Sequence, residues 1–264
     1  MRPTDPVPDG SEKMRRDIDE ALQGWPSNAE PGDVAAREII ARDGRKVLQI
    51  RVELGILQME VAARPDGVRP HGYATYLDYL KNRAGMRSSK AADWKMSPEQ
   101  AAEVDREFTQ FNHRRVAWFT MHRYDKALLD ADHSLDLMNF VQKYSPSPEY
   151  VDSHERLRGL VLFNRTQAAA ALAIERGKHD EAVDSVREGV ERLTDHQRDW
   201  TADLDRDDTP NETLIAQLRV LEDEIRKNFE VEKTLREQLD EAVADEDYER
   251  AARIRDQIRA KAGR

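Results

Sequence analysis

The 264 residues are rich in charge and lean in apolar mass, with 36% Asp, Glu, Lys or Arg against 39% hydrophobic residues. That length supports one or two domains with a real core, and the balance suits long solvated helices rather than a compact enzyme barrel. A formal net charge of −10 disfavours a nucleic-acid partner, whose phosphates need a positive surface, and the absence of cysteine excludes disulfides, a thiol nucleophile and cysteine-based zinc sites.

Residues 1–12 are polar and Pro-rich, and a loosely tethered segment is expected there, followed by a short helix over 14–22 within a flexible N-terminal unit, 1–30. Pro31-Gly32 turns the chain into a different regime. Residues 34–41, 46–54 and 56–63 are β-branched and partly alternating, separated by Asp43-Gly44 and by Gly55. Leu48, Ile50, Val52 and Leu54 fall on one face and Val47, Gln49, Arg51 and Glu53 on the other, so the spacing predicts a three-stranded antiparallel meander with one buried face.

Arg64-Pro65-Asp66-Gly67 supplies turn chemistry at the end of the meander. Arg64, Asp66, Arg69 and His71 cluster there beside Gln58 and Glu60, which makes 58–71 a candidate ligand loop. The competing reading is a loop in which Asp66 bonds its own turn and the arginines pair with nearby carboxylates. No nucleophile and base stand at a recognisable spacing. A helix over 73–83 places Tyr73, Tyr76, Leu77 and Leu80 on one face, suited to covering the sheet and completing a unit 31–84.

Residues 85–97 read as a linker. Ser97-Pro98-Glu99-Gln100 then combines an N-cap, a first-turn proline and a capping-box Gln. Helices are predicted over 98–121, 123–143, 148–176 and 179–201, with Ser147-Pro148 repeating the start signal. The junctions His122-Arg123-Tyr124-Asp125-Lys126-Ala127 and Gly177-Lys178-His179-Asp180-Glu181-Ala182 look alike, and each resembles the turn inside a tetratricopeptide repeat. Their separation of about 55 residues exceeds the usual period of about 34, so 98–208 reads as a repeat-like layer of two helical hairpins.

Thr209-Pro210-Asn211-Glu212 opens the last unit, 209–264. Leu214, Leu218, Leu221, Ile225, Leu235, Leu239 and Ala242 keep heptad positions, with polar Asn228 and Glu232 in the seam. They predict one continuous helix over 211–243, roughly 50 Å long, whose first half packs on the helical layer or on a second chain as a coiled coil. Asp245, Glu246 and Asp247 interrupt that pattern and start another helix carrying Tyr248, Ala251, Ala252, Ile254 and Ile258.

The order Leu235, Leu239, Ala242, then Glu246-Asp247-Tyr248-Glu249, Ala251-Ala252, Ile254-Arg255-Asp256 and Ile258 resembles the UVR, or UvrB/UvrC, motif over residues 231–262. The segment LGILQMEVAARPDGVRPHG is likewise similar to the N-terminal part of bacterial UVR-motif proteins. The resemblance implies a two-helix hairpin that docks onto other proteins. A hairpin of about 35 residues is too small to bury much surface alone, so its apolar edge needs a partner. The binding edge expected from these residues is Leu235, Leu239, Tyr248, Ala251, Ile254 and Ile258, with Arg255 and Asp256 orienting the hairpin ends. Acids dominate its first half and arginines its second, an arrangement that also permits antiparallel pairing with a second copy.

The expected fold class is α+β, mainly α: a small N-terminal antiparallel β-meander, repeat-like helical hairpins, and a long helix ending in the C-terminal hairpin. The expected function is that of a non-catalytic adaptor or regulatory protein that binds a protein partner, such as another UVR-motif protein, or a second copy of itself. Two other readings stand beside it: an accessory factor of UvrB/UvrC-type nucleotide excision repair, and an enzyme or small-ligand binder working from 58–71. The seven histidines include no HExxH pattern and no i, i+4 pair, and neither a phosphate-cradling glycine loop nor a dinucleotide fingerprint is present, so no metal or cofactor is expected. With neither a signal-peptide run nor a membrane-length apolar stretch, a cytoplasmic location is expected.

Overall fold

The computed structural model describes residues 18–25, 34–52, 55–86, 94–202 and 210–262. The polar segment 1–12, most of the linker and the acidic run 203–208 lie outside the described residues. The architecture is α+β and mainly α. A short helix α1 (Asp19–Leu22) precedes an antiparallel meander of β1 (Ala36–Ile40), β2 (Lys46–Val52) and β3 (Gly55–Glu60), paired in chain order. Gly44 turns β1 into β2 with φ +86°, and Asp43 accepts the Arg45 N–H across the turn.

The central strand is buried on both faces, which corrects the single buried face expected from its alternation. Leu48 and Ile50 are buried as predicted, but so are Val47 and Gln49. Gln49 is tolerated inside because its amide is satisfied on both sides, accepting from Arg37 Nε at 2.9 Å and donating to Gln58 at 2.9 Å. Arg37 in turn lies 3.9 Å above the Trp25 ring and donates to the Ala21 carbonyl, so the segment after α1 is tied to this polar side.

α2 (Tyr76–Met86) does not cover the sheet. The sheet's apolar residues Leu48, Ile50 and Met59 pack instead against Ala117, Trp118, Ala127 and Ala168 from later helices. Tyr76, Leu77 and Leu80 join Val104, Leu137, Phe140 and Val141 in a separate cluster. Trp118, 1% exposed, is the largest side chain in the cluster over the strands.

The helices that follow are α3 (Pro98–Thr120), α4 (Tyr124–Tyr144), α5 (Pro148–Glu175), α6 (His179–Ala202) and α7 (Pro210–Phe229). Ser97 closes a full capping box with Gln100, and Ser147 caps α5 through the Tyr150 N–H. Consecutive helices pair, and their largest core joins Met138, Val161, Leu162, Val183, Val186, Leu193, Leu218 and Ile225. Two glycines set how closely these helices approach. A Cβ on Gly189 of α6 would overlap the Thr166 side chain of α5, and one on Gly159 would drive into Asn211, whose amide donates to the Leu193 carbonyl at 3.2 Å.

The long helix expected over 211–243 is broken. α7 ends at Phe229, and α8 (Leu235–Ala244) begins after five intervening residues, before α9 (Tyr248–Ala262). Glu230 takes the left-handed conformation at φ 53°, and the Val231 N–H returns to the Arg226 carbonyl, which terminates α7. Thr234 then starts α8: its side chain accepts the Glu237 N–H while Glu237 accepts the Thr234 N–H. A strong local cap thus overrides the continuous heptad, and polar Asn228 and Glu232 flank a chain reversal rather than a coiled-coil seam.

Candidate interaction site

α8 and α9 form a closed hairpin. After Ala244 the chain turns through Glu246 at φ 57°, with the Asp247 N–H bonding the Ala242 carbonyl at 2.8 Å and the Asp247 side chain capping α9 through the Arg250 N–H at 3.0 Å. Ala242, Ala251 and Ile254 are buried between the helices, and Leu235, Leu239 and Ile258 pack half-buried around them. Small Ala251 and Ala242 let the helices meet closely, and this contact consumes most of the apolar edge predicted for binding.

What stays open lies at the tip. Tyr248 is 68% exposed and Val243 52% exposed, on either side of the acidic turn formed by Asp245, Glu246 and Asp247. Tyr248 is the first residue of α9 and lies outside the apolar seam formed by Ala242, Ala251 and Ile254. Arg255 and Asp256 pair with each other at 3.1 Å on the exposed side of α9 and do not bridge the hairpin's two ends. The tip residue Val243 was not singled out in the sequence, although its place one residue after the buried Ala242 marks it as outward-facing.

The root of the hairpin is polar and buried. Thr234, fully buried, donates to Asp184 of α6 at 2.7 Å. Glu237 meets Arg226 of α7 at 2.7 Å and Arg187 of α6 at 3.4 Å. Burial alone would raise the Glu237 carboxyl, but the Thr234 N–H and the two arginines outweigh it and hold the group below the ordinary carboxylate range. Asp184 shifts the other way, because burial exceeds the help from Thr234, Arg236 and Arg187. The pattern Thr234-x-x-Glu237 carried the signal for this root in the sequence.

The loop 64–71 takes its place as a structural junction. Arg64 is 2% exposed and locked to Glu103 at 3.0 Å and Asp66 at 3.2 Å. Asp66 accepts the Val68 N–H and the Gln110 amide, each at 2.9 Å, and the exposed His71 stacks on Tyr79 with ring centroids 4.0 Å apart. Arg69 is exposed and does not join the others. Next to this loop, buried Glu107 accepts the Tyr76 and Leu77 N–H groups at the start of α2, and Arg114 bridges Asp130 to the Glu60 and Ala63 carbonyls. These contacts join the sheet's last strand and the loop after it to α2, α3 and α4.

A larger open cleft of ≈ 1000 Å³ lies between the start of α5 and the end of α6. One of the carboxylates lining it, Glu155, is engaged by Arg158 at 2.6 Å and by His196 at 3.3 Å. Among the described residues no group of three or more His, Cys, Asp or Glu side chains could hold a metal ion, and no described helix is long and apolar enough to cross a membrane.

Comparison with known proteins gives one match. No curated protein and no solved structure matched the chain. Residues 231–261, which span α8 and α9, match the family model of the UvrB/uvrC motif, so the C-terminal hairpin carries a non-catalytic motif of protein–protein interaction.

Proposed function

We propose that this protein is a non-catalytic docking protein that captures a protein partner, or a second copy of itself, through the tip of its C-terminal hairpin. The observation that carries this reading is the exposure of Tyr248 and Val243 beside the unburied acids Asp245 and Glu246. A tyrosine presenting its ring to solvent with an aliphatic neighbour and an acidic collar has the make-up of an interface anchor, and its complement is an apolar socket rimmed by basic side chains. The helical body and sheet present the hairpin and supply no chemistry of their own in this reading.

The test is Tyr248→Ala in the full chain, followed by sedimentation velocity and by capture of the partner. Association weakens by at least tenfold while helicity stays unchanged, because so exposed a ring contributes little to folding. Association equal to that of the unmodified chain refutes the tip as the docking element. A second reading, an accessory factor of UvrB- and UvrC-type excision repair, is favoured by the motif match alone. Purified UvrB and UvrC used as bait separate it from a general adaptor.

A further inference from the structure

The hairpin meets the helical body along a second line besides its root. Between α6 and the hairpin runs an open cleft of ≈ 480 Å³ whose walls carry opposite charge: Asp184, Glu188 and Glu191 from α6 face Arg236, Arg255 and Arg259 from the hairpin. Arg187 on the body side and Asp240 on the hairpin side are the exceptions. Leu239 and Ile258, half-buried in the hairpin seam, show their remaining surface to the same cleft. Glu188 and Arg255 are occupied by neighbours on their own helices, Arg192 at 2.7 Å and Asp256 at 3.1 Å. Neither the Glu191 nor the Arg259 side chain has a partner among the described residues, so the unmatched acid is on one wall and the unmatched cation on the other.

A short non-helical segment joins α7 to the hairpin and is tied back to α7 by the Arg226 guanidinium on the Glu232 carbonyl at 2.6 Å. Residues 230–234 are non-helical, with non-glycine Glu230 held at φ 53°, and Thr234, the last of them, is pinned to Asp184. Glu237, with Arg226 at 2.7 Å and Arg187 at 3.4 Å, and Arg236, 3.9 Å from Asp184, fix the same root, so rotation about this root changes the width of the cleft farther out without unmaking either helix of the hairpin.

We infer that α6 is the resting seat of the hairpin: α9 closes onto it, Arg255 and Arg259 meet Glu188 and Glu191, and Leu239 and Ile258 lose their remaining exposure. The seat is an interaction surface whose occupant is this chain's own α9, chosen by charge complementarity and by the apolar pair between the charges. A docking partner that spreads from the tip onto the Leu239–Ile258 flank then competes with α6. This consequence for regulation rests on the docking role of the hairpin; the seating itself does not. Exposed ion pairs each bias such an equilibrium by about 1.4- to 5-fold, so two together shift it by about 2- to 30-fold, a range that salt erases as the screening length falls to about 3 Å at 1 M.

The absence of native cysteine makes the test direct. Spin labels on Thr194→Cys of α6 and Ala260→Cys of α9, both exposed positions, report the width of the cleft in the full chain by dipolar spectroscopy. The expected result is a short-distance population at low salt that is depleted at 1 M salt and by the double reversal E188K/E191K, and restored when R255E/R259E is added. A distance distribution indifferent to salt and to charge reversal overturns the inference. Dipolar coupling between singly labelled chains mixed in one sample also overturns it, because the occupant of the seat is then a second copy. Tyr248→Ala leaves this intrachain distance unchanged, so failure of the docking role and failure of the seating are read separately.

Discussion

Ile254 and Tyr248 lie less than two turns apart on α9, yet their truncations should have opposite effects. Ile254 is 6% exposed and is the largest of the three side chains buried within the hairpin, the others being Ala242 and Ala251. Ile254→Ala removes three carbons, about 2.4 kcal/mol of transfer free energy at about 0.8 kcal/mol each, and the unfilled space brings the cost to about 3–4 kcal/mol. A unit of this size has little stability to lose. The loss therefore exceeds what holds α8 against α9, and the hairpin opens while α3 to α7, whose core does not include it, stays folded. Hydrogen exchange followed by peptide mass reads this directly: amides of 235–262 lose protection by about two orders of magnitude, and those of 161–193 keep theirs. If protection in α8 and α9 survives, or if the α5–α6 amides fall equally, the hairpin is not an independently opening unit and the reasoning fails.

Three further expectations test the scaffold. Gly189→Ala places a Cβ 2.7 Å from the Thr166 Cβ and in overlap with its Oγ1 and Cγ2, so despite a helix-propensity gain of about 1 kcal/mol it destabilises by about 1–3 kcal/mol; Thr166→Gly in the same chain recovers part of the loss, and the same change at unencumbered Gly85 does not destabilise in a denaturant series. Glu155 is raised by burial but lowered further by His196 and Arg158, to about 2 from 4.5, so its contribution, on the order of 2–3 kcal/mol, is complete above pH 4.5 and is lost as pH falls towards 2; acid unfolding of Glu155→Gln lacks that component. Arg114→Met strands the carboxylate of Asp130, itself 5% exposed, and costs about 3–5 kcal/mol by thermal unfolding, whereas pairing it with Asp130→Leu costs less because no buried charge is left alone.

Local signals in the chain were the legible ones. Ser97-Pro98, Ser147-Pro148 and the acidic turn at 245–247 each mark a helix start by satisfying N–H groups within a few residues, and the helices begin there. The break after Phe229 was also locally encoded, in Thr234-x-x-Glu237, but the heptad spacing of Leu218, Leu221, Ile225, Leu235 and Leu239 pointed to continuity. Capping won because Asn228 and Glu232 offered no apolar contact to carry the helix across. Which surface covers which was not legible. Trp118 over the sheet and Arg64 against Glu103 join residues far apart in sequence, and a hydrophobic period gives the direction of a face without naming what it meets. The same limit separated Tyr248 from Ile254: both fit the motif's spacing, but only the packed hairpin shows that Ile254 is buried in its seam and Tyr248 is exposed.

The small size of the hairpin core bears on how docking would be felt. Two of its three buried side chains are alanines, which bring the helices close but add little hydrophobic free energy, and its root is held by Thr234, Asp184, Glu237 and Arg226 rather than by apolar packing. Much of the hairpin's order therefore comes from electrostatic contacts with the body and from its caps. A partner that covers Tyr248 and Val243 supplies apolar burial the hairpin lacks, and by mass action it stabilises the folded arm in proportion to the logarithm of its concentration over Kd. In the proposed docking role, binding and local folding are linked: the hairpin's few internal apolar contacts make the arm's stability a quantity that a partner at the tip would change.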